Sequence, residues 1–121
     1  MGGICVDAFQ YKTMETISFD DFKKVEIRIG KILSAEALPD SNKLLKLEVD
    51  FTTEKRIILA GIAKFYAPEQ LVGKLCPFAF NLAPKKLGEH ESQGMILCAD
   101  SPDGPVLMHP DKNVLPGSLI K

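Results

Sequence analysis

The feature that most restricts this chain is its alternation of apolar and charged residues over short stretches. Leu45, Leu47 and Val49 alternate with Lys46, Glu48 and Asp50, a period of two that only an extended strand converts into one apolar and one polar face. The same period begins at Lys24, with Val25, Ile27 and Ile29 on the face expected to be buried and Lys24, Glu26 and Arg28 on the other. Gly30 interrupts that run while its apolar character continues through Ile32 and Leu33, which predicts a long first strand bent or bulged at the glycine. A third strand, dense in branched residues, is predicted over Arg56–Ala60, a fourth over Leu75–Phe80, a fifth over Met95–Ala99 and a short further one at Val106–Met108.

The connections are marked as clearly as the strands. "LPDSNK" at 38–43 is a turn, and a longer Pro- and Gly-punctuated loop runs from Asn81 to Gln93. Ser18 is placed to cap a short element whose first turn holds Asp20 and Asp21. "APEQLVGK" at 67–74 predicts a helix of about two turns, with Pro68 at its start and Gly73 at its close. Three strands, a short helix and two more strands make an all-β chain in the order of an OB-fold, a five-stranded Greek-key barrel with a short helix between strands three and four. A small sandwich or an SH3-like barrel is the alternative that periodicity leaves open.

At 121 residues and 45% hydrophobic content the chain has room for one compact domain. Residues 1–16 are expected to form a loosely attached arm, with Met14 a possible alternative start, and 17–121 the domain with its tail. The odd number of widely spaced cysteines, Cys5, Cys76 and Cys98, fits reduced thiols in a cytoplasmic protein, with two of them in the core. No Cys/His spacing predicts a metal site, no cofactor motif is present, and no apolar run reaches the length of a membrane span. The opening Met-Gly lacks the Ser or Thr of a myristoylation signal, Val6 standing in that position.

The formal net charge of −1 conceals an uneven distribution: residues 22–88 hold twelve Lys and Arg against seven Asp and Glu, and both ends are acidic. In the predicted barrel, the 38–43 turn and the 81–93 loop flank the face on which OB-folds bind oligonucleotides. Arg28, Lys31, Lys43, Lys46, Arg56, Lys85 and Lys86 come from the segments bordering that face, while Asn81, Ser92 and Gln93 are placed to bond to bases or the 2′-OH. Taken singly, each of these is more often an ordinary surface or turn residue; the set is what points to nucleic acid. With no tryptophan, and with Phe78 and Phe80 expected in the core and Phe65 and Tyr66 in packing roles, the chain is suited to folded RNA rather than to an unstructured strand. His90, between Glu89 and Glu91, and His109 read as loop and turn residues, and no nucleophile elbow or carboxylate pair predicts an enzyme.

The segments "DFKKVEIRIGKILSAE", "NKLLKLEVD", "GIAKFYAPEQLVGK", "FNLAPKKLGEHESQGMILCAD" and "PDKNVLPGS" together resemble one family over Ile17–Lys121. It is the tRNA-binding domain found as the C-terminal appendage of bacterial methionyl-tRNA synthetase, as free-standing structure-specific tRNA-binding proteins, and in endothelial-monocyte-activating-polypeptide-II-like domains. The resemblance implies an OB-fold, recognition of tRNA by shape and phosphate backbone, a homodimer for free-standing members, and an aminoacyl-tRNA synthetase as a possible partner. Matched by position, it puts Arg28, Lys31, Lys43, Asn81, Lys85, Lys86, Ser92 and Met95 at the binding surface. The chain departs from the family at Phe51-Thr52-Thr53, where a turn glycine is usual, and at Ala60, where Ser is common. No synthetase catalytic domain lies within these residues, so methionine activation is not expected of them. The competing reading is a dimer that binds peptides, like secretion-chaperone relatives of the same fold. The apolar Val106–Met108 and Leu119–Ile120 segments motivate the dimer in either case.

Overall fold

The computed structural model describes residues 14–121, so most of the expected N-terminal arm, together with Cys5, lies outside the described residues. The elements in order are α1 (Phe19–Phe22), β1 (Ile27–Ala37), β2 (Leu45–Asp50), β3 (Lys55–Ala60), a 3-10 turn (Pro68–Gln70), β4 (Leu75–Ala79), β5 (Lys85–Leu87), β6 (His90–Ser92), β7 (Met95–Ile96), β8 (Cys98–Ser101), β9 (Gly104–Leu107) and β10 (Leu119–Ile120). The main sheet runs β3-β2-β1-β4-β7, all antiparallel, and curls into a half-barrel that β6 and β7 begin to close against β3. This is the all-β, OB-type arrangement expected from the strand order.

Strands β2 and β3 form as the alternation dictates. Leu45, Leu47 and Val49 are buried, while Lys46, Glu48 and Asp50 line the opposite face, which shows that one charged row was always destined for the barrel exterior. Strand β1 differs from expectation in two respects. The residues facing the core are Gly30 and Ile32, whereas Ile29 is buried beneath the C-terminal tail and Val25 is exposed. Moreover, the register shift falls between Ile32 and Ser34, so the bulge is at Leu33. Gly30 has a packing role instead: a Cβ there would stand 2.5 Å from Val49 Cγ1 and 2.7 Å from the Phe51 ring. The absent side chain is the space that Phe51 occupies at the centre of the core, edge-on to Phe78 and Phe80 at ring distances of 5.5 and 4.9 Å.

The predicted two-turn helix at 67–74 is replaced by a single 3-10 turn, Pro68–Gln70, in which the Gln70 side chain accepts from the Ala67 amide at 2.7 Å. The Gly73 amide then donates to the Ile32 carbonyl at 2.7 Å and the Lys74 carbonyl accepts from the Ile32 amide at 2.9 Å, which returns the chain to β1 and leaves no length for a second turn. The α-helix among the described residues is the four-residue α1, capped by Ser18 Oγ accepting from the Asp21 amide at 3.0 Å. At the other end of the chain, β10 continues the edge of β1 below the point where β2 leaves it, pairing Ile27 with Ile120 and Arg28 with Leu119. Tyr66 packs against the core and its hydroxyl accepts from the Leu107 amide at 3.2 Å, so it has the packing role expected of it.

Candidate nucleic-acid interface

The 81–93 segment, expected as a loop, contains a β-hairpin in which Lys85 opposes Ser92, Lys86 opposes Glu91 and Leu87 opposes His90. The hairpin is sewn to β3. Ser92 Oγ accepts from the Leu59 amide at 2.9 Å and donates to the Gly94 carbonyl at 2.9 Å, while Gln93 exchanges two bonds with Ile57, through its own amide and its side-chain Oε1. At the far end His90 Nε2 lies 3.4 Å from Asp40 Oδ1, which joins the hairpin to the 38–43 turn that carries Lys43. Ser92 is therefore a buried fastening, 4% exposed, and holds the hairpin in place rather than facing a ligand. Lys85 and Lys86 are exposed on that fastened hairpin and make no ion pair among the described residues.

Arg28 and Arg56 have a different setting. Both point to the lower mouth of the barrel, where Phe80 lies between them at 5.2 Å from the Arg28 guanidinium and 3.6 Å from that of Arg56. Arg28 is paired with Glu26 and donates to the Gly117 carbonyl at 2.8 Å. Arg56 is paired with Glu54 at 2.8 Å and donates to the carbonyls of Phe80 and Gln93. Asn81 is equally committed: its Oδ1 accepts from the Glu26 amide at 2.8 Å and its Nδ2 donates to the Lys24 carbonyl at 2.7 Å, tying the approach to β1 to the end of β4. These three residues build the mouth.

The remaining sequence candidates divide by position. Lys46 lies 3.8 Å from Glu36 on an outer face shared with Glu48, so that face is not cationic. Lys31 is exposed but sits on β1 between Asp50 and Leu75, two strands away from β3 and its hairpin. Lys43 is exposed in the turn joined to the hairpin, and Met95, 48% exposed, follows directly after the hairpin on β7. The structure thus joins the turn that carries Lys43 to the hairpin that carries Lys85, on the face of Ser92, and Lys86, on the face of Glu91; it leaves Lys31 apart, and gives Arg28, Lys46, Arg56, Asn81 and Ser92 internal partners. Phe80, expected in the core, is half-buried and forms part of the mouth, and Glu54 was not singled out by the sequence at all. The signal that was available is the Glu-x-Arg spacing, which in a strand puts both side chains on one face.

A groove of about 450 Å3 opens beside this mouth, with Leu82, Ala83 and Pro84 as its apolar part and Glu54, Phe80 and Gln93 among its other lining residues. A second, of about 470 Å3, is floored by Phe19, Phe22, Val25, Leu119 and Ile120. Elsewhere, burial and the neighbouring Cys98 push the Cys76 thiol up to about 11, with Lys74 pulling the other way, and burial also raises Cys98. His109 Nδ1 donates to the Leu75 carbonyl at 2.8 Å and so carries its proton on the nitrogen nearest Cys76. Among the described residues, no three His, Cys, Asp or Glu side chains are grouped so as to hold a metal ion, and no helix is long and apolar enough to cross a membrane.

Residues 27–119 match the family described as "Putative tRNA binding domain". The methionine–tRNA ligase of Thermotoga maritima is 48% identical over 95% of this chain, and that of Methanoregula boonei 52% identical over 91%. The chain spans only 20% and 17% of those two proteins. Among solved structures, a MetRS related protein from Pyrococcus horikoshii superposes with a TM-score of 0.84 at 39% identity, covering 89% of this chain and all of the other. The chaperone CsaA of Bacillus anthracis superposes at 0.80 with 27% identity, covering 88% of this chain and all of its own.

Proposed function

The chain belongs to the tRNA-binding domain family, and from that membership we propose that it docks on folded tRNA through the β5–β6 hairpin, with Lys85, Lys86 and Lys43 meeting phosphates. It is a noncatalytic tRNA-binding domain. The observation that carries the reading of the surface is the hairpin itself: two exposed lysines without carboxylate partners among the described residues, on a support fixed to β3 through Ser92 and Gln93. A phosphate meeting either lysine releases condensed counterions without first breaking an ion pair, whereas Arg28, Lys46 and Arg56 would have to give up a glutamate. Recognition is of shape and backbone, since little exposed aromatic surface adjoins these lysines for stacking a single strand. Arg28, Arg56, Asn81 and Ser92 serve it indirectly, by fixing the strand ends from which the hairpin springs. Met95 is a contact at its margin, and Lys31, two strands away on β1, stands outside it.

The protein is further proposed to be a homodimer that works in the cytoplasm, alone or beside an aminoacyl-tRNA synthetase, and to perform no reaction of its own. The apolar side chains left open at Phe19, Leu119 and Ile120 support the dimer. The test is binding of nuclease-treated protein to bulk tRNA and to single-stranded oligonucleotides at low and moderate salt, beside the Lys85→Ala/Lys86→Ala variant. Tight, salt-sensitive binding to tRNA over oligonucleotides is expected, with the variant's log–log salt slope smaller by about two for each hairpin that engages the RNA. No tRNA binding at low salt would reject the reading. The likeness to CsaA favours one competing reading, in which the apolar groove holds peptides. Peptide affinity that holds or rises with salt, with no tRNA binding, would select it.

A further inference from the structure

Two of the three cysteines lie across one ladder from each other, and the proposed RNA surface uses neither. Phe78 pairs with Ile96 and Ala79 with Met95, and the ladder runs on by one residue, the Leu97 amide donating to the Pro77 carbonyl at 3.0 Å. The next step of that register sets Cys76 of β4 against Cys98 at the start of β8. Hydrogen-bonded and non-hydrogen-bonded pairs alternate along an antiparallel ladder. The bond across Pro77 and Leu97 therefore makes Cys76 and Cys98 a non-hydrogen-bonded pair, the kind with Cα atoms about 4.5 Å apart and side chains on one face. Burial agrees with the register: Cys76 belongs to the core with Phe78 and Ile96, and Cys98 packs against that core from a half-buried position. Both thiols are free, and a disulfide spans Cα separations of about 4.4–6.8 Å.

We propose that Cys76 and Cys98 are a reversible oxidation site, closing to a cross-strand disulfide that clamps β8 to β4 when the chain meets a low-molecular-weight disulfide such as oxidised glutathione. Cys98, the more accessible thiol, gives up its proton and attacks one glutathione sulfur. The other glutathione leaves as a thiolate and takes up that proton. The Cys76 thiolate then attacks Cys98 Sγ, forming the Sγ–Sγ bond and expelling the second glutathione, which takes up the second proton. Two protein thiols are oxidised and one glutathione disulfide is reduced to two thiols. The Nδ1–H of His109, bonded to the Leu75 carbonyl, also lies 3.7 Å from Cys76 Sγ, where it can donate to the sulfur as it ionises. Burial keeps both thiols protonated at neutral pH, so closure is slow, on the order of minutes to hours. The clamp falls at a weak point of the ladder. Pro77 has no N–H to offer the Leu97 carbonyl, so that pair is joined by one bond where two are usual. The inference stands apart from the tRNA reading, since closure consumes no lysine of the hairpin.

The test uses the full chain as Cys5→Ser, which leaves these two thiols alone. Incubated folded with oxidised glutathione, it is expected to lose both free thiols and two hydrogens in mass, and to recover both thiols with dithiothreitol. Proteolysis of the oxidised chain is expected to release one linked pair of peptides, carrying Cys76 and Cys98. The closed chain is expected to melt at a higher temperature than the reduced one, because the link restricts the unfolded state. Two free thiols in the folded chain after a treatment that oxidises the pair in urea would overturn the inference. So would a glutathione that stays on Cys98, a link between two chains in place of the intrachain one, or a melting temperature no higher after closure.

Discussion

Ser92 shows how a residue placed in a binding motif can act without touching what is bound. Its hydroxyl satisfies the buried Leu59 amide and reaches Gly94, so Ser92→Ala leaves a buried donor unpaired at a cost of about 1–3 kcal/mol. Urea unfolding should show that loss, and the salt slope of tRNA binding should stay unchanged, because no phosphate contact is removed. Cys76 gives a prediction in pH. Its thiol is raised from 9.0 to about 11 in the folded chain, so the folded state holds its proton through a range in which the unfolded state loses it. That contribution to stability is fully present below pH 9 and is lost as pH rises from 9 to about 11. The urea midpoint should accordingly fall over that interval, and Cys76→Ala should lower the midpoint at every pH but flatten the decline. Legibility at this scale was uneven for one reason. Residue type and segment were readable for Arg28, Arg56 and Asn81, but their partners, Gly117, Phe80, Gln93 and the Lys24 carbonyl, lie far along the chain and no local pattern announces them.

Elements that answer to a single local rule were legible, and those that depend on a distant partner were not. Strands β2 and β3 followed from alternation because one face of each meets water. Strand β1 has apolar residues on both faces, since the tail covers Ile29 on the side opposite the core, and alternation cannot then say which face is inner. The hairpin escaped notice because each of its strands is three residues long and polar, stabilised by fastening to β3 rather than by its own pattern. Pro68 and Gly73 punctuate a helix and a 3-10 turn alike, so local sequence does not separate the two. Gly30 links these elements. Gly30→Ala pushes a methyl into Val49 and Phe51, both fully buried, and should cost about 1–3 kcal/mol in thermal or urea unfolding. The tail is the complementary test: the amides of Ile29 and Gly117 bond to the Ser118 and Ile29 carbonyls, and Arg28 donates to Gly117. Removing residues 117–121 should lower the melting temperature, measurable as a cooperative transition at lower temperature, and leaves the Arg28 guanidinium with Glu26 and Phe80 as its partners.

At the scale of the whole molecule, the balance between a net charge of −1 and a local cationic side sets how binding responds to salt. Long-range attraction to RNA is weak for a nearly neutral chain, so the proposed contact assigns the affinity to the few lysines it places on phosphates. Lys46 on the outer sheet face is offset by Glu36 and Glu48, and the arginines at the mouth by Glu26 and Glu54. One protomer then presents Lys43, Lys85 and Lys86. With a slope of about −0.9 per phosphate neutralised, a single protomer gives a log–log salt dependence of about −3, and a homodimer with both hairpins on one tRNA about −5. Oligomeric state and RNA contact therefore become one measurement: light scattering gives the mass of the free protein and salt titration the number of contacts. A dimeric mass with a slope near −5 is the expected result, since the open apolar side chains of α1 and β10 call for a partner surface. A dimeric mass with a slope near −3 would mean that one protomer alone holds the RNA. A monomeric mass at micromolar concentration would reject the dimer and require three lysines to supply all the salt-dependent affinity.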